Sequence, residues 1–193
     1  MSEGDFEIEL EKRRGLPEPL RALLGDYPRN AWEANAHFSA LIRFWLDRHV
    51  GFRHLLEALL RETREALDCG NEQDLFGARL AQLGGLFINE LHGHHMVEDI
   101  HYFPHLKMLD KRISHGFDIL DRDHHVIDGH LAAFAEEVNA VLWAIESNAP
   151  ANTAFGILEA GLVRLDRTLR RHLEDEEELV VPVLLKFAPA GLV

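Results

Sequence analysis

Two histidine–glutamate pairs with the same internal spacing stand far apart in the chain. His94 and Glu98 form the first pair, and His172 and Glu176 form the second. On an α-helix, residues four positions apart differ by about 40° around the axis, so each pair projects from one helical face about one turn apart. Imidazole nitrogens and carboxylate oxygens are ligands for iron, manganese or zinc. The two pairs therefore predict a metal site between two helices.

Two further histidines occupy buried positions of other helical patterns. His49 and His124 keep step with apolar neighbours that recur every three and four residues. The adjacent acids Asp99 and Glu177 lie about 140° around the helix from the histidines of their own pairs, and would need a local distortion to join them. The predicted metal ligands are His49, His94, Glu98, His124, His172 and Glu176.

Burial of this ligand set requires a compensating partner. Ionised groups left alone among leucine and phenylalanine side chains would each destabilise the fold by several kcal/mol. Two carboxylates from opposite helices suit a bridge between two metal ions. Two octahedral ions have about 12 coordination positions and these residues would fill about 8, leaving roughly 4 for solvent, an oxo or hydroxo bridge and a small diatomic ligand.

Other polar residues near the site are assigned less firmly. Whether His101, His105, Asp128 or Glu177 also binds metal stays open. The acidic run from Glu174 to Glu178 is predicted to be a solvated face, Glu176 excepted. The remaining histidines are expected at the surface or at helix ends: His37, His54, His92, His95, His115, His125 and His130.

Four long amphipathic segments would position these residues. Leucine outnumbers valine, isoleucine and threonine combined, which favours helix over strand. The segments are predicted near 31–68, 72–110, 117–147 and 151–187. The signals that separate them are a capping box at Asn30 and Glu33, the Gly70–Asn71 pair, and polar breaks at 114–116 and 147–150.

Short connections between these segments predict an all-α, antiparallel up-down four-helix bundle. Residues 1–30 contain Pro17, Pro19 and Pro28 and only short apolar clusters, so they are predicted to form an N-terminal arm. Residues 31–188 are predicted to form the bundle domain.

Composition narrows the functional classes. The 193 residues suit one domain, and a formal net charge of −13 disfavours nucleic acid and anionic membranes as partners. A single cysteine, Cys69, excludes an internal disulfide framework and a thiolate metal cage. The acidic start and the absence of a long apolar run favour a soluble cytoplasmic protein. The oligomeric state is not predicted.

The two pairs also belong to an internal repeat. His94-x-x-x-Glu98-Asp99 precedes Phe103-Pro104, and His172-x-x-x-Glu176-Glu177 precedes Val181-Pro182 at the same distance. This repeat resembles the His-His-Glu cation-binding repeat of hemerythrin-like domains, and the resemblance extends from about residue 32 to residue 187. His49 and His124 match the single histidines of the first and third helices of that family.

The resemblance implies a four-helix bundle around a non-haem di-iron centre that binds dioxygen or related small ligands. Two departures bear on the kind of member. Asp128 stands where oxygen-carrying hemerythrins have a second histidine on the third helix, which disfavours a reversible oxygen carrier. The arm also lacks the cysteine that iron–sulfur repair members carry in an N-terminal extension.

The main hypothesis is a metal-binding, hemerythrin-like protein with two iron ions that binds or responds to dioxygen, nitric oxide or peroxide. Zinc or manganese are alternative metals. Alternative functions are a di-iron oxidoreductase that scavenges peroxide or nitric oxide, and a structural bundle with an inert metal. A ferritin-like site is disfavoured because the first and third helices offer only histidine, where that class has glutamate. Whether the protein is an enzyme, a carrier, a sensor or a scavenger stays open.

Overall fold

Four long helices form the framework of the protein, which the computed structural model describes over residues 8–69 and 73–189. The described chain is all-helical and contains no strand, as predicted. A π-helical segment, Glu98–Tyr102, joins the second helix to a short third one. The α-helices are α1 Ala40–Cys69, α2 Gln73–Val97, α3 Phe103–Leu106, α4 Ser114–Glu146 and α5 Asn152–Phe187.

The start of α1 differs from the prediction. Pro28 is followed by a single 3₁₀ turn, Arg29–Ala31, and the regular helix begins only at Ala40. The capping box at Asn30 and Glu33 is therefore wrong. Ser39 occupies the capping position instead, because its Oγ accepts a hydrogen bond from the backbone N–H of Ile42 at 3.4 Å.

The other boundaries lie closer to the predicted ones. The second segment was predicted to run to residue 110, but it passes through the π-helical segment and α3 and ends at Leu106. The third predicted segment corresponds to α4, which begins at Ser114 and not near residue 117, so Gly116 lies inside its first turn. A Cβ atom on Gly116 would lie 2.8 Å from Cδ2 of Leu179, which explains a glycine there. The Gly70–Asn71 stop signal and residue 72, the predicted start of the second helix, lie outside the described residues.

The chain divides into two compact units. The first comprises Met1–His49, His95–His125 and Arg170–Val193. It combines the starts of α1 and α4 with the ends of α2 and α5. Its core includes Trp45, Phe103, Phe117 and Leu179 together with Leu16, Leu20 and Leu23 from the predicted arm. The exact boundary between arm and bundle domain at residue 30 remains a prediction.

The second unit comprises Val50–His94 and Val126–Leu169. Its interior is mainly aromatic and aliphatic: the rings of Phe87 and Phe134 meet edge to face at 6.2 Å, and those of Phe76 and Phe155 lie 5.1 Å apart. Close helix packing accounts for Gly84, where a Cβ atom would lie 3.4 Å from the Phe134 ring.

Hydropathy sets a limit on membrane association. None of the described helices combines the length and the apolar character that crossing a bilayer would require.

Asp110 anchors the connection between α3 and α4 to the end of α5. Its carboxylate accepts hydrogen bonds from Arg112 Nε at 2.9 Å, Arg112 Nη2 at 2.6 Å and Lys186 Nζ at 3.3 Å. These donors, the Arg112 side chain first, hold the pKa of Asp110 well below its usual range. A lowered carboxyl pKa stabilises the fold above the pKa of the unfolded chain, about 3.9, and the stabilisation is lost as pH falls below it.

We therefore expect Asp110→Asn to lower the free energy of unfolding by about 1 kcal/mol at pH 7, with a difference that shrinks as pH falls below about 4. Urea unfolding of both proteins between pH 7 and pH 3 measures this. The control is Asp118→Asn, because the exposed Asp118 pairs with an exposed Lys107 at 3.3 Å and should change stability by under about 0.5 kcal/mol. An Asp110→Asn effect that does not vary with pH would contradict the assignment.

Candidate metal centre

The predicted ligands come from five helical elements, and five of the six lie in the interior. His49 lies on α1, Glu98 begins the π-helical segment, His124 lies on α4, and His172 and Glu176 lie on α5. All five are at most 1% exposed, and His94 on α2 is half-buried. Burial of these groups in a single molecule calls for partners or for a cation.

The structure sorts these residues into two groups of side chains that could hold a metal ion. The first contains His49, His94, Glu98 and Glu176, and the second contains His95, His124 and His172; in each group the ligand atoms lie within 4.8 Å of one another. His94 is the last residue of the second unit and precedes His95 directly in the chain. All six predicted residues therefore belong to these groups, four to the first and two to the second. His95, which was not predicted, is the seventh member.

Both glutamates of the first group also lie close to histidines of the second. Oε2 of Glu176 is 3.5 Å from Nε2 of His49 and 3.5 Å from Nε2 of His172. Oε2 of Glu98 is 3.6 Å from Nε2 of His124. Each carboxylate thus lies between the two groups, where it could reach an ion on either side.

His95 is the residue that sequence reasoning missed. It was predicted at the surface, and this is wrong: its side chain is 2% exposed. Its ring stacks on His124, with centroids 4.0 Å apart and planes inclined by 7°, and meets His172 edge-on at 5.4 Å.

A local change of helix type accompanies this arrangement. The π-helical segment Glu98–Tyr102 replaces i→i+4 hydrogen bonds with i→i+5 bonds, so angles counted at 100° per residue do not hold through it. One signal was nevertheless in the sequence. Two adjacent histidines, His94 and His95, each stand four residues before an acid, Glu98 and Asp99.

Carboxylates also lie behind three of the histidines, on the side away from the ligand groups. The Nδ1 atoms of His49, His124 and His172 lie near Glu177 at 3.0 Å, Asp99 at 2.7 Å and Asp123 at 3.3 Å, respectively. Because an ionised carboxylate only accepts, each Nδ1 carries the hydrogen and Nε2 keeps its lone pair.

Asp99 and Glu177 therefore orient histidines of neighbouring helices and are absent from both ligand groups. The predicted solvated face is wrong here, since Asp175 and Glu177 are 0% and 3% exposed. Arginines explain their burial: Asp175 accepts from Arg13 and Arg171, and Glu177 accepts from Arg29.

The remaining candidates lie apart from the ligand groups of the described chain. His101 and His105 are exposed, and Asp128 is half-buried with its Oδ1 3.4 Å from Nδ1 of His92. None of the three belongs to either group.

Three buried atoms of the site have no hydrogen-bond partner within the described part of the chain. Among the described residues, Nε2 of His124, Nε2 of His172 and Oε2 of Glu176 are buried and have no hydrogen-bond partner. Burial lowers the pKa of His172 to about 4, so its imidazole is neutral at pH 7. Neutral imidazole is the form that binds metal.

The pKa values of the two glutamates shift in the opposite direction from that of His172. Burial raises the pKa of Glu98 and of Glu176 well above the usual value, and the neighbouring Glu98 carboxyl raises that of Glu176 further. Nε1 of Trp45 donates a hydrogen bond to Oε1 of Glu176 at 2.6 Å and holds it in place. A cation between these carboxyl groups would favour their ionised forms and so offset the repulsion and the desolvation that raise their pKa values.

A small cavity adjoins the first group. It has a volume of about 10 Å³, roughly one water molecule, and besides His49, Glu176 and Glu177 it is lined by Trp45 and apolar side chains of α1 and α5. The apolar residues are Ile42, Leu46, Val180, Val181 and Leu184.

Comparison with known proteins agrees with this geometry. The model of the hemerythrin HHE cation binding domain matches residues 40–184, which is well over half of the chain and includes every residue of both ligand groups. No curated protein and no solved structure matches the chain. A family match of this extent, over a helical framework with two groups of candidate ligand residues, establishes that the chain belongs to the hemerythrin HHE cation-binding domain family.

Proposed function

We propose that this protein holds a non-haem di-iron centre that binds or responds to dioxygen, nitric oxide or peroxide. One observation carries the proposal: two adjacent groups of buried ligand atoms, with the Glu98 and Glu176 carboxylates between them. A single ion would leave one group of buried polar atoms uncompensated, whereas two ions would use both.

Each ion would have a different set of histidines. His49 and His94 would bind one ion, His95, His124 and His172 the other, and Glu98 and Glu176 would bridge. Nitrogen and carboxylate donors without sulfur suit iron, with zinc and manganese as alternatives. A pair of irons supplies redox chemistry and open positions for a small ligand.

The surroundings of His49 favour a small ligand over an organic substrate. The adjoining cavity of about 10 Å³ has room for a molecule of about the size of water, and its apolar lining keeps bulk water away from His49 and Glu176. The ion at His49 and His94 would have two imidazole ligands, one fewer than the other ion, and would therefore keep more coordination positions open for that ligand. This supports binding of a diatomic gas or peroxide.

The same site could also turn over its ligand, which is the second candidate. Consumption of peroxide or nitric oxide needs electrons, so turnover would require a reductant in addition to the metal centre. A cytoplasmic location and the absence of nucleic-acid partners remain predictions from composition.

The first test is metal content and spectroscopy. We expect protein purified without added metal to contain about two iron ions per chain, and its absorption spectrum to change on reduction and on addition of azide or nitric oxide. His124→Leu and Glu176→Leu should lose most of the iron, because each removes an inward-facing ligand atom. The control, His105→Leu, alters an exposed histidine and should retain it.

Unchanged iron in both ligand variants would discard the site. A colourless protein that holds zinc and whose spectrum is unaffected by nitric oxide would favour the structural alternative. Steady consumption of peroxide or nitric oxide in the presence of a reductant, lost in the ligand variants, would favour the oxidoreductase.

His95 is tested separately. We expect His95→Leu to lower iron content towards one ion per chain, or to weaken binding of one ion by about tenfold to a hundredfold, because its group has only two other histidines. Iron analysis after dialysis measures this. His92→Leu, three residues earlier and exposed, is the matched control. Equal iron in the two variants would remove His95 from the ligand set.

Replacing Glu176 by glutamine should stabilise the metal-free protein but weaken iron binding. Its raised pKa means that the metal-free fold keeps its full stability only below the unfolded pKa, about 4.3, and loses stability as pH rises from there. Glutamine removes this ionisation. Metal-free Glu176→Gln should therefore be more stable than the parent at pH 8 by on the order of 1 kcal/mol, with a smaller gain at pH 5, while binding iron more weakly.

Urea unfolding of the metal-free proteins at pH 5 and pH 8, together with iron analysis, measures both effects. Glu174→Gln is the control, since Glu174 is exposed and pairs with Arg171 at 3.1 Å. A gain for Glu176→Gln that does not grow with pH would contradict the burial of an ionisable carboxyl at this site.

A further inference from the structure

An arginine of the N-terminal arm lies fully buried beside the site. The Arg13 side chain is 0% exposed, and it forms ion pairs with two aspartates. Its two terminal nitrogens donate to the two carboxylate oxygens of Asp123, with Nη1 at 2.8 Å from Oδ1, while Nε donates to Asp175 at 2.7 Å. Burial of a guanidinium disfavours folding unless several hydrogen bonds satisfy it, and here three bonds to carboxylates do so.

The first of these aspartates contacts a predicted ligand. Oδ2 of Asp123 lies 3.3 Å from Nδ1 of His172 and is also one of the two oxygens that Arg13 holds. The contacts therefore run from Arg13 through Asp123 to His172. Because both oxygens of Asp123 are bonded to the fork of one guanidinium, the plane of the carboxylate is fixed, and with it the direction of the hydrogen bond that His172 donates.

A similar series of contacts runs from Arg29 through Glu177 to His49. Nη1 of Arg29 donates to Oε2 of Glu177 at 2.5 Å, and Oε1 of the same carboxylate lies 3.0 Å from Nδ1 of His49. This arginine is 48% exposed, so its ion pair is weaker than that of Arg13.

A third contact ties the arm to α5 next to these pairs. The backbone N–H of Leu16 donates to Oδ1 of Asp175 at 3.0 Å, and Arg171 donates to the same oxygen at 2.7 Å. Asp175 therefore anchors the backbone of the arm as well as Arg13, and fixes the position from which Arg13 reaches Asp123.

We infer that the N-terminal arm helps to build the metal centre, and that its residues Arg13 and Arg29 are positioning residues for two of the histidines. Through Asp123 and Glu177 they hold His172 and His49 with Nε2 directed inward. Each guanidinium also neutralises a carboxylate that lies beside a histidine of the site. The inference rests on the proposed function, because it assumes that these Nε2 atoms bind metal.

The arm offers its own control. Arg21 also pairs with an acid of α5, since its Nη1 lies 3.1 Å from Oε2 of Glu178. In the described part of the chain, no hydrogen bond or ion pair joins Glu178 to a histidine of either ligand group. Loss of the Arg21 pair should therefore loosen the arm without releasing a histidine.

The test is the rate at which Fe²⁺ passes from the loaded full-length protein to an excess of a coloured chelator. We expect Arg13→Met to speed release by about tenfold or more, as for loss of partners that orient metal-bound histidines. Arg29→Met should have a smaller effect, and Arg21→Met should stay within about twofold of the parent. Arg13→Lys should be intermediate, because lysine restores the charge without the two-pronged contact.

A second measurement separates positioning from stability. In the zinc-loaded protein, ¹⁵N signals of the His172 ring report which nitrogen carries hydrogen. We expect Nδ1–H in the parent and in Arg21→Met, and a shifted or broadened Nδ1 signal in Arg13→Met. If Arg13→Met fails to fold, Arg13→Lys compared with Arg21→Lys decides by the same two readouts, and faster release for Arg13→Lys alone supports the inference.

Failure of the inference can be told apart from failure of the proposed function. A parent protein that binds no iron or zinc with defined stoichiometry would overturn both. A parent that binds two ions, with Arg13→Met and Arg21→Met alike in release rate and in His172 signals, would overturn only the role of the arm.

Discussion

Two carboxyl groups buried side by side, Glu98 and Glu176, set the physical requirement that the rest of the first unit meets. Desolvation raises the pKa of both, and the proximity of Glu98 raises that of Glu176 further. A domain of marginal stability does not keep such a pair in its interior without compensation. The histidines of the same ligand groups, together with the family match to a cation-binding domain, indicate a cation as the compensating charge.

The supporting residues follow from that requirement. Ligands are useful only if their orientation is held, and three histidines are held by carboxylates at Nδ1. Those carboxylates would add negative charge near the site if they were left alone. Arg13 and Arg29 neutralise two of them from the arm, so acids and bases alternate outward from the centre. Within the acidic run on α5, Asp175, Glu176 and Glu177 consequently belong to an internal network, whereas Glu174 is exposed.

Much of the candidate site could be predicted from the spacing of residues in the sequence. The i, i+4 pairs His94–Glu98 and His172–Glu176, and the in-step histidines His49 and His124, follow from the geometry of a helix, since each element must bury one face. All-helical structure and most helix ends followed from the same periodicity and from breaking residues. Errors at the start of α1 arose because a capping-box pattern at Asn30 is local, whereas Pro28 and the packing of the arm decide where the helix begins.

The sequence by itself determined which residue types share a helical face, because side-chain direction along a regular helix depends only on position in the chain. What lies opposite that face depends on neighbouring helices, and only the tertiary structure decided it. Asp99 and Glu177 point away from the histidines of their own pairs, but His124 and His49 of other helices occupy those directions. Periodicity alone did not separate His95 from His94, because they follow the buried Leu91 by four and three residues and both fit its helical face. The rings of His124 and His172 that pack against His95 decide its place, and Arg13 reaches its two aspartates only where the arm meets α4 and α5.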